Sequence, residues 1–138
     1  MSDKFLFQVI TPDRTAFSAE VYSVVLPGAV GQFGVLPGHA PFVSILKIGV
    51  MRVIHEHLGR TEWLTVSGGF AEVRGNEVVV LAQASERAEE IDVNRAEAAR
   101  KRAEERIAAH VAEIDMARAQ AALARALTRL AVAERREP

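Results

Sequence analysis

Apolar residues follow two different rhythms along this chain. Up to about residue 82 they come in short runs bounded by turn residues; beyond residue 86 they recur every three or four positions. The run FLFQVI at 5–10 is β-prone and ends at Thr11, Pro12 and Asp13, a turn signal. VYSVVL at 21–26 is a second strand, closed by Pro27 and Gly28. Short strands are then predicted around 34–36, 42–46, 50–55, 61–66, 69–74 and 77–82, with Gly75 and Asn76 as a close hairpin turn. About eight short strands with turns this frequent point to an antiparallel sandwich or barrel. The remainder reads as two helices, roughly 92–110 and 115–135. In the first, Ala96, Ala99, Ala103, Ile107 and Val111 share a stripe; in the second, Leu123, Leu127 and Leu130 do, flanked by Ala119, Ala126 and Ala133. These stripes favour an antiparallel hairpin over one continuous rod. The predicted class is therefore α+β: an N-terminal antiparallel β-sandwich, residues 1–86, followed by a C-terminal two-helix antiparallel hairpin, residues 87–138.

Composition sharpens the division. All eight aromatic residues lie at or before Phe70, and all nine glycines at or before Gly75. No proline stands between Pro41 and Pro138. The first half is the material of a packed sheet, and the second is strong helix formers without breakers. Alanine buries little area, whereas a buried leucine contributes about 1.5–3 kcal/mol. The helices should therefore be individually robust but weakly held, as suits a moving or docking part.

Charge removes several functions. The net charge is -1, and residues 86–138 carry eleven basic and eleven acidic side chains. A helix that faces DNA or RNA needs an excess of positive charge, so nucleic-acid binding is disfavoured, as is a polybasic membrane anchor. There are no cysteines, hence no disulfides or thiol chemistry. No apolar run approaches the ~20 residues of a membrane span, and the N-terminal residues lack the apolar core of a signal peptide.

The chemistry-bearing candidates are few. Gly28, Gly31 and Gly34 resemble a phosphate cradle, but no Gly-Lys-Ser/Thr and no helix follow, so turn roles are expected. His39 sits in a proline-flanked loop, and His55 and His57 are two apart on a strand face; no metal site is expected. Trp63 and the phenylalanines read as core. No nucleophile–base or paired-carboxylate constellation is evident, so an enzyme is not expected. The helical half contains an echo: EIDVNRA at 90–96 recurs as EIDMARA at 113–119. An aspartate there suits a helix N-cap, so Asp92 and Asp115 can simply start helices and Arg95 can be a solvated charge.

Three motifs then converge. GQFGVLPGHAP at 31–41, SGGFAEV at 67–73 and IDVNRA at 91–96 resemble, in order and spacing, the G-x-x-G-x-x-P-G-H-A-P, S-G-G-F-x-E-V and I/L-D-x-x-R-A motifs of the epsilon subunits of bacterial F-type ATP synthase. The resemblance covers essentially the whole chain. It implies a non-catalytic central-stalk subunit of a proton-translocating machine. The sandwich would lie against the gamma subunit and the c-ring. The hairpin would fold down on the sandwich or rise beside gamma among the alpha and beta subunits to hinder ATP hydrolysis. It also implies a peripheral position on the cytoplasmic face of the cell membrane, reached only through partner subunits.

In bacillus-like members the folded hairpin holds one ATP without hydrolysing it and requires no metal. Carried over by position, the ATP contacts would be Glu86, Ile91, Asp92, Arg95, Ala96, Arg102 and Arg129, the last in the context RLAVAE. Ile91, Arg95 and Arg102, spaced four and seven, would share a helix face, and an antiparallel hairpin would bring Arg129 back beside them as a phosphate clamp. Gln32 and His39 would face partners, Gln32 standing where family members often carry Glu at the c-ring contact. Arg100, Lys101, Arg106 and Arg125 would meet acidic subunit surfaces when the hairpin opens, and pair with Glu97, Glu104 and Glu105 when it is folded. The rival reading is a stand-alone adaptor or inhibitor with a helical docking tail and no rotary-motor role.

Overall fold

The computed structural model describes residues 4–55, 59–110 and 112–135. Residues 1–3, His57 and Val111, each part of a sequence expectation, lie outside them. Seven strands appear among the described residues: β1 Phe5–Ile10, β2 Thr15–Val21, β3 Ser23–Gly28, β4 Gly31–Val35, β5 Phe42–Ile54, β6 Thr61–Arg74 and β7 Glu77–Ala82. A 3-10 turn at Ala88–Glu90 leads to helices α1 Val93–Ala108 and α2 Glu113–Ala133.

The strands form one hydrogen-bonded sheet in the order β2-β1-β7-β6-β5-β3-β4. All neighbours are antiparallel except β1 and β7, which run parallel. Besides β1, β7 pairs with β6 along the second half of that strand, residues 69–74, and β3 meets β5 mainly at its far end, Arg52 to Ile54. The two long strands thus pass from one layer to the other, and the sheet folds over itself as a sandwich. Both layers feed one core that includes Phe7, Val9, Leu26, Met51, Leu64 and Val80.

The sequence reading divided each long strand in two. The interruptions at Gly49 and at Gly68–Gly69 are bends within β5 and β6 rather than strand ends. Gly69 has φ 138°, and a Cβ there would collide with the Leu81 carbonyl oxygen, so the residue must be glycine for β6 to bend against β7. The run at 21–26 proves to be the end of β2 and most of β3, with Tyr22 between. β2 was not anticipated, because TAFSAEV lacks a clean alternation.

Asp92 caps α1, its Oδ1 accepting from the Arg95 N–H at 3.1 Å. The second copy of the motif behaves differently. α2 begins two residues before Asp115, with Ala112 at the N-cap and no side-chain cap bond, so Asp115 lies in the first turn rather than before it. His110 makes the break between the helices by taking φ 54°, the left-handed conformation that usually ends a helix at glycine.

α1 and α2 pack through alanines: Ala96 and Ala103 are buried on one, Ala119 and Ala126 on the other. α2 is the helix that packs on β5 and β6. Its anchor is Val132, fully buried in a small cluster with Ala88 and Ile91 beside Val50 and Trp63. Leu127, expected on the inner stripe, is 48% exposed.

Candidate functional site

The link between the two parts is stitched to β6. The Ser85 hydroxyl donates to the Thr65 carbonyl at 2.7 Å, the Glu86 N–H donates to the Thr65 hydroxyl at 3.0 Å, and the Thr65 N–H donates to the Glu86 carbonyl at 2.9 Å. A bridge between Leu64 and Arg87 extends the stitching. This holds the Glu86 side chain under the last turns of α2, where Arg129 Nε donates to its Oε1 at 2.7 Å.

A cleft of about 320 Å³ opens at this junction, lined by Glu86, Glu90, Asp92, Arg95, Ala96, Ala99, Arg102 and Arg129. That is the lower end of the volume range of small-molecule sites. Arg95 and Arg102 lie two turns apart on α1 and face the cleft together. Arg129 comes from the antiparallel partner, as the hairpin geometry requires. Three guanidinium groups therefore converge on one opening, a donor arrangement suited to phosphate. Of the seven residues carried over as ATP contacts, six line the cleft. Ile91 does not: it precedes the helix and is 3% exposed, packed with Ala88 and Val132 beneath. It supports the cleft instead of sharing a helix face with Arg95.

Two lining residues, Glu90 and Ala99, were not among the expected site residues, Ala99 having been placed only on the apolar stripe of α1. Glu90 was visible only as the first letter of the repeated motif. Its carboxylate accepts from Arg14 Nη1 at 2.5 Å and from the Arg87 N–H at 2.9 Å. The hydrogen bond from Arg14 is the main reason its pKa lies below the ordinary glutamate range. Arg14 itself carried no sequence signal, since it stands 76 residues from its partner.

Other candidates fall elsewhere. Gln32 and His39 are exposed at one end of the sandwich. The rings of Phe33 and His39 both rest on Phe42, at 5.4 and 5.0 Å between centroids, so β4, the start of β5 and the loop between them form one surface. Next to it, Val30 at the β3–β4 turn is fully exposed. Trp63 is not sandwich core but lies under the end of α2, with the Arg135 guanidinium 4.2 Å from its ring. Phe70 is not core either. It is 51% exposed on the outer face, paired across strands with Ile45 and Leu81, both also exposed. His55 Nε2 meets Glu62 Oε2 at 2.7 Å. Arg100 pairs with Glu97 and Glu104 along α1, as read from their spacing, and the Glu97 hydrogen bond raises its pKa.

Known proteins share both parts. Residues 4–88 match the family model described as ATP synthase, Delta/Epsilon chain, beta-sandwich domain. Residues 89–134 match ATP synthase, Delta/Epsilon chain, long alpha-helix domain. The ATP synthase epsilon chain of Pelotomaculum thermopropionicum is 57% identical over 109 residues, 78% of this chain and 80% of that protein. That of Carboxydothermus hydrogenoformans is 52% identical over 108 residues, 78% of this chain and 79% of that one. Among solved structures, a chain in the Euglena gracilis mitochondrial ATP synthase OSCP/F1/c-ring assembly superposes with a TM-score of 0.79. It shares 23% identity, and the match covers 93% of this chain and 80% of that chain, a likeness of fold.

Proposed function

The chain belongs to the delta/epsilon-chain family of ATP synthase, and on that premise we propose that it is a non-catalytic central-stalk subunit whose folded hairpin is held closed by ATP. The observation that carries the nucleotide reading is the cleft in which Arg95, Arg102 and Arg129 meet from two helices beside Glu86. Guanidinium forks would take the phosphates. ATP serves as a regulatory ligand and no metal is required.

The energetics suit a switch. The helices touch each other through alanines, and α2 reaches the sheet chiefly through Val132 and Trp63. A ligand present at 100 times its dissociation constant adds about 2.7 kcal/mol to the state that binds it. That matches the burial of one aliphatic side chain, about 1.5–3 kcal/mol. Nucleotide supply would then decide whether α2 stays on the sheet or rises to inhibit the alpha and beta subunits.

For the sandwich, the exposed apolar row Ile45, Phe70 and Leu81 supports contact with gamma. The end carrying Val30, Gln32 and His39 supports contact with the c-ring. Among the described residues no helix is long and apolar enough to cross a membrane. Attachment to the cytoplasmic face of the membrane is thus proposed to run through these partners.

Titration calorimetry of the full chain with ATP tests the sensor. Arg102→Ala is expected to weaken binding far more than Arg118→Ala, which lies outside the cleft. Equal losses, or no heat at millimolar ATP, would refute the site. A pull-down with gamma tests the stalk role, and failure there would favour a free-standing adaptor.

A further inference from the structure

We propose that Arg14, in the turn between β1 and β2, is a positioning residue of the nucleotide cleft: it holds the Glu90 carboxylate at the rim and cancels its charge. The inference rests on the ATP reading above. It starts from the balance of groups around the opening. Glu86, Glu90 and Asp92 supply three carboxylates; Arg95, Arg102 and Arg129 supply three guanidinium groups. Left alone, the rim would be neutral and would offer polyphosphate no net attraction.

Arg14 changes that balance from outside. Its guanidinium grips Glu90 with both nitrogens, Nη1 to Oε2 at 2.5 Å and Nη2 to Oε1 at 3.2 Å. Nη2 also donates to the Ser85 carbonyl at 2.8 Å. One side chain of the sandwich thus touches both ends of the segment that carries Glu86. Its own base is firm: the Thr11 N–H and hydroxyl both donate to the Arg14 carbonyl, and the Thr11 hydroxyl also reaches Asp13. With Glu90 answered by Arg14 and by the Arg87 N–H, the cleft carries one net positive charge. Asp92 is engaged as the α1 cap.

A bidentate pair is the strong form of such a contact and depends on the fork, which lysine lacks. Partly exposed pairs are individually modest, so the expected effect on affinity is about fivefold, and no loss of fold is expected.

The test is ATP titration calorimetry on the full-length chain and three variants, each checked for folding by circular dichroism. Arg14→Ala should raise the ATP dissociation constant about fivefold. Glu90→Gln, which leaves the Arg14 charge uncompensated beside the cleft, should lower it. The double variant Arg14→Ala, Glu90→Gln should return to the parent value, because the charge that needed cancelling is gone. That rescue separates charge cancellation from simple support of the link. A double variant as weak as Arg14→Ala would overturn the proposal. Parent-like binding by Arg14→Ala would also overturn it, and would leave the ATP site standing. A parent chain that binds no ATP would remove the site and the proposal together.

Discussion

The sandwich and the hairpin are held together by different amounts of matter. The sandwich core is built from Phe5, Phe7, Phe17, Leu26, Met51, Leu64 and a set of valines, all almost fully shielded from water. Between the helices the buried residues are alanines, seven apart on each helix: Ala96 and Ala103 against Ala119 and Ala126. Small side chains let the backbones approach closely and make the fit demanding in shape, yet they remove little apolar surface from water. A region can therefore be well ordered and still be cheap to undock. The lesson is that order and adhesion are separate quantities, and a switch needs the first without much of the second.

The strongest way to probe that contrast is to damage each side. Phe7→Ala should lower stability by about 3–5 kcal/mol, seen as a fall in the urea or thermal midpoint of the β-sheet signal. The hairpin should respond to the opposite change. Ala126 is fully buried, so Ala126→Leu should overpack the helix pair by about 1–3 kcal/mol and speed hydrogen exchange in α1 and α2. The β1 and β7 amides should be spared. Leu127→Ala, one residue away but half exposed, should change stability by less than about 0.5 kcal/mol. Similar effects from these two neighbours would dissolve the contrast.

The smallest expected effect is on pH. Arg14 lowers the pKa of Glu90, so the folded state binds that proton less readily than the unfolded state. The contribution is present above the ordinary glutamate range and is lost as pH falls below it, through the lowered folded value. Arg87 acts in the same direction as Arg14, and Arg95, Arg102 and Arg129 lie across the cleft. Limited proteolysis near residues 84–92 should increase on acidification through that window, before the sandwich loosens. In Arg14→Ala cleavage should already be faster at neutral pH, and the further increase on acidification should be smaller, because most of the pKa difference is gone. A pH response equal to the parent's would mean the pair does nothing for the link.

Much of this was legible in one dimension. The two-part build, the helix spans to within two residues and the Asp92 cap follow from local rules. The convergence of Arg95, Arg102 and Arg129 was implied by the family resemblance, and helical spacing with an antiparallel return agreed with it. Other features were hidden for definite reasons. Glycines at 68 and 69 look like a strand end, because bending and ending use the same residue. Phe70 and Trp63 look like core, since hydrophobicity says that a residue avoids water but not which surface relieves it. Leu127 looks like a contact residue, because a helical stripe shows a face but not how far the neighbour extends.

The sequence alone determined which segments could be sheet and which helix, for those choices rest on backbone propensity and spacing between near neighbours. It also determined that the helical half would be held by small side chains. Tertiary structure alone decided that Val132 anchors α2, that Glu86 meets Arg129, and that Arg14 reaches across 76 residues to Glu90. Such pairings depend on how the sheet folds over and where α2 comes to rest. No local rule encodes distances between residues that only the finished packing brings together.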